Sequence, residues 1–438
     1  MSKNNMHINR SKMPHTGKHI QLNISEPNMV ILDNGIETYI IDEGEVDFTR
    51  LDFVFNAGSA IQNKGLIAES TIQLLVDGTN TMSSEDIAKR LDFHGAIIDT
   101  NLTKDKASLT LYSLNKQLPK LLPILKDMFE NASFEESELS NYINRKRHQF
   151  SLNIDKVKFK AMLEFNKLIF GSDSSYGRVK ELSDYDVVNR QDLVSFYNSQ
   201  YTPQNTYIIA SGNVKSDTIS NINKYFGTDW GKPLIGSNNQ FQVVDVTSIN
   251  KFIKKEGSLQ SAIRIGKPVI GKRHRDYNSL IVLNTILGGY FGSRLMSNLR
   301  EQKGFTYGVN SYIMNYKHGN YWSIATEVNA DHTDEAIDEI RFELNRLINE
   351  KVSNTELDLV KNYIYGTYLR SFDGPLAKAE RFRSAKDLDL NFEHYISSLN
   401  EMMTQTPKQL HIIANEYFKY EKMIVLVVGK TKNDNIAI

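Results

Sequence analysis

Apolar and polar positions along the chain follow the spacing of strands in some stretches and the spacing of helices in others. The first strands are predicted as a hairpin of residues 29–32 and 38–41, because Asn34-Gly35 supplies the positive φ of a tight turn. Residues 51–55 alternate apolar and polar side chains, which is typical of a half-buried strand. Apolar residues then recur at helical spacing in 67–76, 118–129 and 280–287. Strands followed by groups of helices indicate an α+β fold, with helices packed on largely antiparallel sheets.

The pattern repeats weakly along the chain at an offset of 218 residues. The repeat is clearest in a helical segment that opens near residue 135 and again near residue 353. Identical residues recur at four paired positions of this segment: Glu138/Glu356, Leu139/Leu357, Asn144/Asn362 and Asp155/Asp373. Each half also closes with an apolar strand, at 207–210 and at 423–428. We therefore predict two similar domains that arose by internal duplication.

Composition shifts give the boundaries of these domains. Residues 1–27 are polar and predict a flexible lead-in. Residues 28–227 form the first predicted domain and 251–438 the second. The turn-rich, polar stretch 228–250 is the predicted linker. A chain of 438 residues is also longer than a single hydrophobic core normally allows.

Composition excludes several classes of function. Lys plus Arg and Asp plus Glu are equal at 52 each, so no overall charge favours nucleic acid. The chain has no cysteine, which leaves only His and carboxylates as zinc ligands. No apolar run reaches the roughly 20 residues that cross a bilayer. The N-terminus lacks the apolar core of a secretion signal. We expect a cytoplasmic protein without nucleic-acid or membrane partners.

One stretch of the second half carries a distinctive motif. Residues 288–307 read GGYFGSRLMSNLREQKGFTY and resemble the signature in the second half of the pitrilysin/insulinase metallopeptidases. Further stretches follow the order of that family, namely Ala57-Gly58-Ser59, Asp77-Gly78-Thr79, Phe93-His94-Gly95-Ala96 and Gln260–Gly266. The resemblance is to the short two-domain members of the family, whose chains pair as facing clamshell halves.

The zinc motif of that family is absent at the matching positions. Its His-x-x-Glu-His places two zinc ligands and a general base on one helical face. Glu69 and Gln73 stand at the ligand positions here, and Ile72 at the base position. Glutamine is a poor zinc ligand, and isoleucine accepts no proton. The downstream carboxylate ligand is also missing near Arg147-His148-Gln149-Phe150. We predict no metal and no cofactor in this chain.

Arg300 and Tyr307, by contrast, match the signature. The resemblance implies that they bind and polarise the scissile peptide, because a guanidinium and a phenol donate hydrogen bonds to a developing oxyanion. The alternative is that Arg300 caps or salt-bridges a helix end while Tyr307 fills the core. Asp99-Thr100-Asn101 matches the edge strand that receives the substrate by strand addition, with an ordinary strand as its alternative.

The second half retains the substrate-binding signature, and the first half lacks the zinc motif. This combination predicts that two chains share the reaction, one binding substrate and the other binding zinc. The expected function is that of a non-catalytic, substrate-binding subunit of a heterodimeric zinc peptidase that cleaves short unfolded peptides. The partner would carry His-x-x-Glu-His and the zinc, and this chain would have no peptidase activity alone. A catalytically inert homodimeric scaffold or peptide-binding protein is the first alternative. A metallopeptidase with unorthodox ligands is the second.

Overall fold

A computed structural model describes residues 11, 22, 24–231 and 248–430. Most of the predicted lead-in and most of the predicted linker therefore lie outside the described residues. The described part contains two β-sheets, each packed with helices, one in the N-terminal half and one in the C-terminal half. The predicted α+β architecture of two similar halves is confirmed.

The N-terminal half is built on a six-stranded sheet with the order β1-β2-β6-β3-β5-β4. Its strands are β1 (Asn28–Ile31), β2 (Glu37–Asp42), β3 (Phe48–Phe55), β4 (Ile97–Leu102), β5 (Ala107–Leu114) and β6 (Thr206–Gly212). Its helices are α1 (Ile67–Leu74), α2 (Ser84–Phe93), α3 (Leu118–Asn131), α4 (Glu136–Ile154), α5 (Val157–Phe170), α6 (Asp184–Val187), α7 (Arg190–Gln200) and α8 (Ser216–Phe226). The predicted hairpin is present as the antiparallel pair β1–β2, and β4 lies at an edge of the sheet.

The C-terminal half is built on a five-stranded sheet with the order β7-β11-β8-β10-β9. Its strands are β7 (Asn250–Lys254), β8 (Gln260–Pro268), β9 (Thr306–Tyr316), β10 (Gly319–Asn329) and β11 (Ile424–Gly429). Its helices are α9 (Tyr277–Asn284), α10 (Thr333–Asn349), α11 (Asn354–Ser371), α12 (Gly374–Lys386), α13 (Phe392–Thr404) and α14 (Pro407–Tyr417). Two π-helical segments, Thr285–Gly289 and Met296–Gln302, follow α9. The edge strand β9 corresponds to β4 of the first sheet.

The predicted repeat appears in the order of these elements. Helix α4 begins at residue 136 and α11 at residue 354, which is the offset of 218 read from the sequence. Strands β6 and β11 begin at residues 206 and 424, with the same offset. Each of these strands pairs with the central strand of its sheet, β3 or β8, in antiparallel register. The repeat of residues is therefore a repeat of structure.

The two halves exchange one helix. Helix α5 of the N-terminal half lies on the second sheet, where Phe165 and Ile169 join a cluster with Leu426 and Val428. Helix α12 of the C-terminal half lies on the first sheet, where Phe382 packs in a cluster with Tyr39 and other residues of β2, β3 and β6. Each sheet is therefore covered on one face by helices of its own half and on the other by a helix of the opposite half.

This exchange corrects the prediction for residues 51–55. The alternating pattern predicted a half-buried strand, but every residue of β3 from Thr49 onward is buried. Leu51, Phe53 and Phe55 face the helices of their own half, and Val54 faces the cluster that contains α12. The polar positions were misleading because Arg50 and Asp52 form a buried ion pair at 2.7 Å. Arg50 also contacts Glu380 of α12 at 2.5 Å, which joins the halves electrostatically.

Candidate functional site

The positions of the lost zinc motif lie on α1, and each has other contacts. Glu69 forms an ion pair with Lys180 and a second one with Lys146, whose Nζ is 3.6 Å from its carboxylate. Ile72 is completely buried in the core of the N-terminal half. Gln73 donates a hydrogen bond from Nε2 to Thr100 Oγ1 at 2.5 Å. A carboxylate paired with lysines, an aliphatic side chain and an amide donor do not form a zinc site.

The downstream ligand position does not supply the missing donor. Arg147 forms an ion pair with Asp186 at 2.5 Å, and Phe150 is buried in a small apolar cluster. Across the described ranges, no group of three or more His, Cys, Asp or Glu side chains could hold a metal ion. The residues present do not fit the zinc that the family resemblance implies.

A cavity of about 610 Å³ lies where this zinc site would be expected. Glu69 and Gln73 on α1 line one side of it, and residues Thr100–Lys104 at the end of β4 line another. Arg178 and Lys180, in the loop between α5 and α6, and Tyr316 at the end of β9 complete the wall. The cavity therefore lies between the edge strands of the two sheets.

The cavity wall is rich in cations. Among the described residues that line it are the cations Lys104, Arg178 and Lys180 and a single carboxylate, Glu69. The ammonium of Lys104 donates to the backbone oxygen of Arg178 at 2.9 Å and makes no ion pair within the described residues. Burial, and secondarily the charge of Lys180, lower the pKa of Lys104 to about 8, while the charge of Asp105 opposes this shift. The folded chain holds Lys104 at an electrostatic cost.

This cost predicts a stability gain on substitution of Lys104. The pKa of Lys104 is lower in the folded chain, about 8, than its ordinary value of 10.5. Below pH 8 both states are protonated and the full penalty applies, and it disappears as pH rises toward 10.5. Lys104→Met should therefore raise the free energy of unfolding by about 1–2 kcal/mol at pH 7 and by little at pH 10.5. Urea unfolding at both pH values measures this, with the exposed Lys89→Met as control. An equal effect at both pH values would contradict the assignment.

No pattern in the sequence indicated this group of cations. Lys104 follows β4, whereas Arg178 and Lys180 belong to a non-periodic loop more than 70 residues later. Their approach depends on backbone contacts. Arg178 Nη1 donates to the backbone oxygen of Asn63 at 2.7 Å, and the turn that carries Lys104 is closed by hydrogen bonds between Thr103 and Lys106. Only the folded chain brings these elements together.

The predicted substrate strand Asp99-Thr100-Asn101 lies in β4. This strand pairs with β5 on one side, and no other strand of the described chain pairs with its outer side. Asp99 and Asn101 are exposed, while Thr100 points toward Gln73 on α1. Asn101 and Thr100 line the cavity, and Asp99 does not. The position is open to strand addition, and the role in substrate binding stays a prediction.

Arg300 and Tyr307 both lie on the surface of the C-terminal half. Arg300 lies in the last turn of the second π-helical segment, and Tyr307 is the second residue of β9. The guanidinium of Arg300 stacks on the ring of Phe291 at 4.8 Å and forms no ion pair within the described part of the chain. Tyr307 is 91% exposed and Phe291 is 61% exposed. The alternative in which Arg300 salt-bridges a helix end and Tyr307 fills the core is wrong.

The other residues of the signature hold this surface in place. Arg294 makes two hydrogen bonds of 2.8 Å to the carboxylate of Glu356 in the first turn of α11. Gly288 lets the first π-helical segment approach β9 closely, because a Cβ there would stand 2.6 Å from Cβ of Ser311. Gly304 adopts a φ of +67°, which favours glycine, in the turn before β9. These residues fix the backbone on which Arg300 and Tyr307 stand.

Tyr307 and the cavity lie at opposite ends of β9. Tyr316, which lines the cavity, is nine residues beyond Tyr307 in the same strand. At about 3.3 Å per residue, roughly 30 Å of strand separates them. The degenerate zinc positions and the Arg300/Tyr307 surface of one chain are therefore two separate places.

Comparison with protein families identifies the chain. The model described as "Insulinase (Peptidase family M16)" matches residues 43–166. The model described as "Peptidase M16 inactive domain" matches residues 188–364. The chain belongs to the insulinase, or M16, peptidase family, and it lacks the metal site of that family in the residues described.

Individual relatives are similar along most of the chain. The "Uncharacterized zinc protease YmxG" of Bacillus subtilis is 23% identical over 80% of this chain and 85% of its own length. The bovine mitochondrial-processing peptidase subunit beta is 20% identical over 84% of this chain and 76% of its own. The structure of a peptidase M16 inactive domain from Pseudomonas fluorescens matches with a TM-score of 0.84 and 20% identity, covering 93% of this chain and 99% of that one. The structure of a Helicobacter pylori protease also matches with a TM-score of 0.84 and 17% identity, covering 92% of this chain and 100% of that one.

No helix in the described ranges is both long enough and apolar enough to cross a bilayer.

Proposed function

We propose that this chain is the non-catalytic, substrate-binding subunit of a heterodimeric M16 peptidase. In this proposal a partner with His-x-x-Glu-His supplies zinc and the activated water. Arg300 and Tyr307 of this chain then bind the scissile peptide and stabilise the oxyanion as it forms. The substrates are short unfolded peptides, and the complex works in the cytoplasm.

The observation that carries this proposal is the exposure of Tyr307. A buried tyrosine would have a structural role, but Tyr307 is open to solvent, and Arg300 is exposed as well. Tyr307 lies roughly 30 Å along β9 from Tyr316, which lines the cavity at the degenerate zinc positions of the same chain. The hydrogen-bonding capacity of Arg300 and Tyr307 is therefore available to a group from outside, and a facing zinc domain is the partner that gives it a use.

Two alternatives are weaker. A homodimeric scaffold or peptide-binding protein needs no exposed arginine and tyrosine at the signature positions, whereas this chain has both. A metallopeptidase with unorthodox ligands needs a cluster of donors, which the described residues do not provide. One of the relatives is named as a subunit of a processing peptidase, which supports a division of labour between chains.

The isolated chain should bind no stoichiometric zinc and should hydrolyse no peptide. The reason is the replacement of the ligand and base positions by Glu69, Gln73 and Ile72, the first two of which have protein partners. Metal analysis of the pure chain and a quenched-fluorescence peptide assay measure both quantities. A matching partner subunit assayed alone and in mixture is the control. Stoichiometric zinc together with chelator-sensitive turnover by the isolated chain would favour the unorthodox metallopeptidase.

A further inference from the structure

The described residues that line the cavity at the lost zinc site carry more positive than negative charge. Of its three lining cations, Lys180 is paired with Glu69, while Lys104 and Arg178 donate to backbone oxygens. Their backbone partners are neutral, so two positive charges stay uncompensated by any carboxylate that lines the cavity. Concentrated charge of one sign in a partly enclosed site attracts an ion of the opposite sign.

The position of Lys104 is held by the fold. Thr103 N donates to Lys106 O at 2.8 Å, and Ala60 N donates to Lys104 O at 2.8 Å, so the turn is fixed on both sides. Lys104 is partly buried beside Lys180, and burial lowers its pKa to about 8. An anion in the cavity would offset both the burial and the repulsion. A lysine that faced solvent would have neither the burial nor the repulsion that lowers the pKa of Lys104.

The cavity is continuous with the open edge of the first sheet. Thr100 and Asn101 belong both to β4 and to the cavity wall, and Lys104 follows directly after the strand. A peptide that adds to the free side of β4 would therefore run into the cavity at the end of the strand where the cations stand.

We propose that this cavity binds a carboxylate of the peptide that pairs with β4. The proposal rests on the peptide-binding role proposed above, and it assigns to the lost zinc site a new task as a carboxylate-binding site. Parallel pairing would bring the peptide C-terminus to Lys104 and Arg178, whereas antiparallel pairing would bring an Asp or Glu side chain. In both cases the chain selects peptides by a negative charge at one defined position.

Four versions of one labelled peptide test this with the full chain. The peptide is short and neutral except for one Asp and its C-terminus, and its versions combine a free or amidated C-terminus with Asp or Asn. Fluorescence anisotropy at pH 7 should show about tenfold weaker binding when the bound carboxylate is removed. A loss on amidation identifies the C-terminus as the ligand, and a loss with Asn identifies the side chain. Equal binding of all four versions would overturn the proposal.

Variants of the cavity separate this effect from misfolding. Lys104→Met combined with Arg178→Met should abolish the difference between the peptide versions, and Lys89→Met, on the exposed face of α2, should retain it. Lys104→Met alone should weaken carboxylate binding although it stabilises the fold, a combination that unfolding cannot produce. A double variant that kept the full preference for the carboxylate would contradict the proposal.

The test of the carboxylate site and the test of the proposed subunit role can fail independently. In the proposed function, turnover by the mixed complex depends on Tyr307, at the other end of β9, and on Arg300, in the π-helical segment before that strand. If Tyr307→Phe lowers turnover and the four peptides bind equally, the carboxylate site fails and the subunit role stands. If the peptides differ and Tyr307→Phe has no effect on turnover, the subunit role fails and the carboxylate site stands.

Discussion

Tyr307→Phe and Arg300→Ala are each expected to lower the turnover of the mixed peptidase complex by about 10²–10³-fold. Each substitution removes hydrogen-bond donors from a site where negative charge develops in the transition state. Tyr307 is 91% exposed, and Arg300 is an exposed residue whose guanidinium lies over the Phe291 ring, so neither change should disturb the core. The measurement is kcat for a quenched-fluorescence peptide with the zinc-bearing partner in excess.

The controls distinguish chemistry from assembly. Zinc content and the size of the complex should stay unchanged in both variants. Tyr363→Phe and Arg275→Ala remove the same groups from other exposed positions of the C-terminal half and should leave kcat unaltered. If Tyr307→Phe and Arg300→Ala kept near-full activity in a properly assembled complex, the pair would have no role in catalysis.

Phe382→Ala should cost about 3–5 kcal/mol in the free energy of unfolding. Phe382 belongs to α12, and its ring lies 4.7 Å from the ring of Tyr39 in β2 and 5.5 Å from that of Phe392 in α13. Truncation would leave a cavity under the helix that joins the C-terminal half to the first sheet. Urea or thermal unfolding of the full chain measures the change.

An exposed phenylalanine provides the matched control. Phe342 lies on α10 and is 56% exposed, so Phe342→Ala should change stability by less than about 1 kcal/mol. Loss of stability confined to one half, with the other half unfolding as in the wild type, would contradict the view that α12 joins the two.

Sequence reasoning predicted the elements whose signals are local. The Asn34-Gly35 turn and the helix of residues 118–129 follow from short-range patterns, and the repeat at offset 218 follows from matching one segment with another; the structure contains each of them. The family signature likewise singled out Arg300 and Tyr307, which lie in the second π-helical segment and in the edge strand β9. Their exposure could not be read from the sequence, because Arg and Tyr occur both on surfaces and in cores.

Features formed by contacts between distant segments were predicted wrongly or were not predicted at all. The second face of β3 is covered by α12, more than 300 residues away, so its alternating pattern indicated a solvent face that does not exist. The cations of the cavity come from two irregular segments with no shared periodicity. Apolar spacing shows which side of a strand or helix is buried but not which element buries it.

The exchange of α5 and α12 also suggests how a chain of this design could arise. Two identical half-length chains would cover each other's sheets in the same way, each lending its partner one helix across a twofold axis. Joining the two chains end to end would make that association intramolecular. The effective concentration of one half near the other would then no longer fall on dilution. Once joined, the copies could diverge, so that the Glu69 copy and the Tyr307 copy are free to carry different chemistry. A second association, between complete chains, can then repeat the same division of labour one level higher.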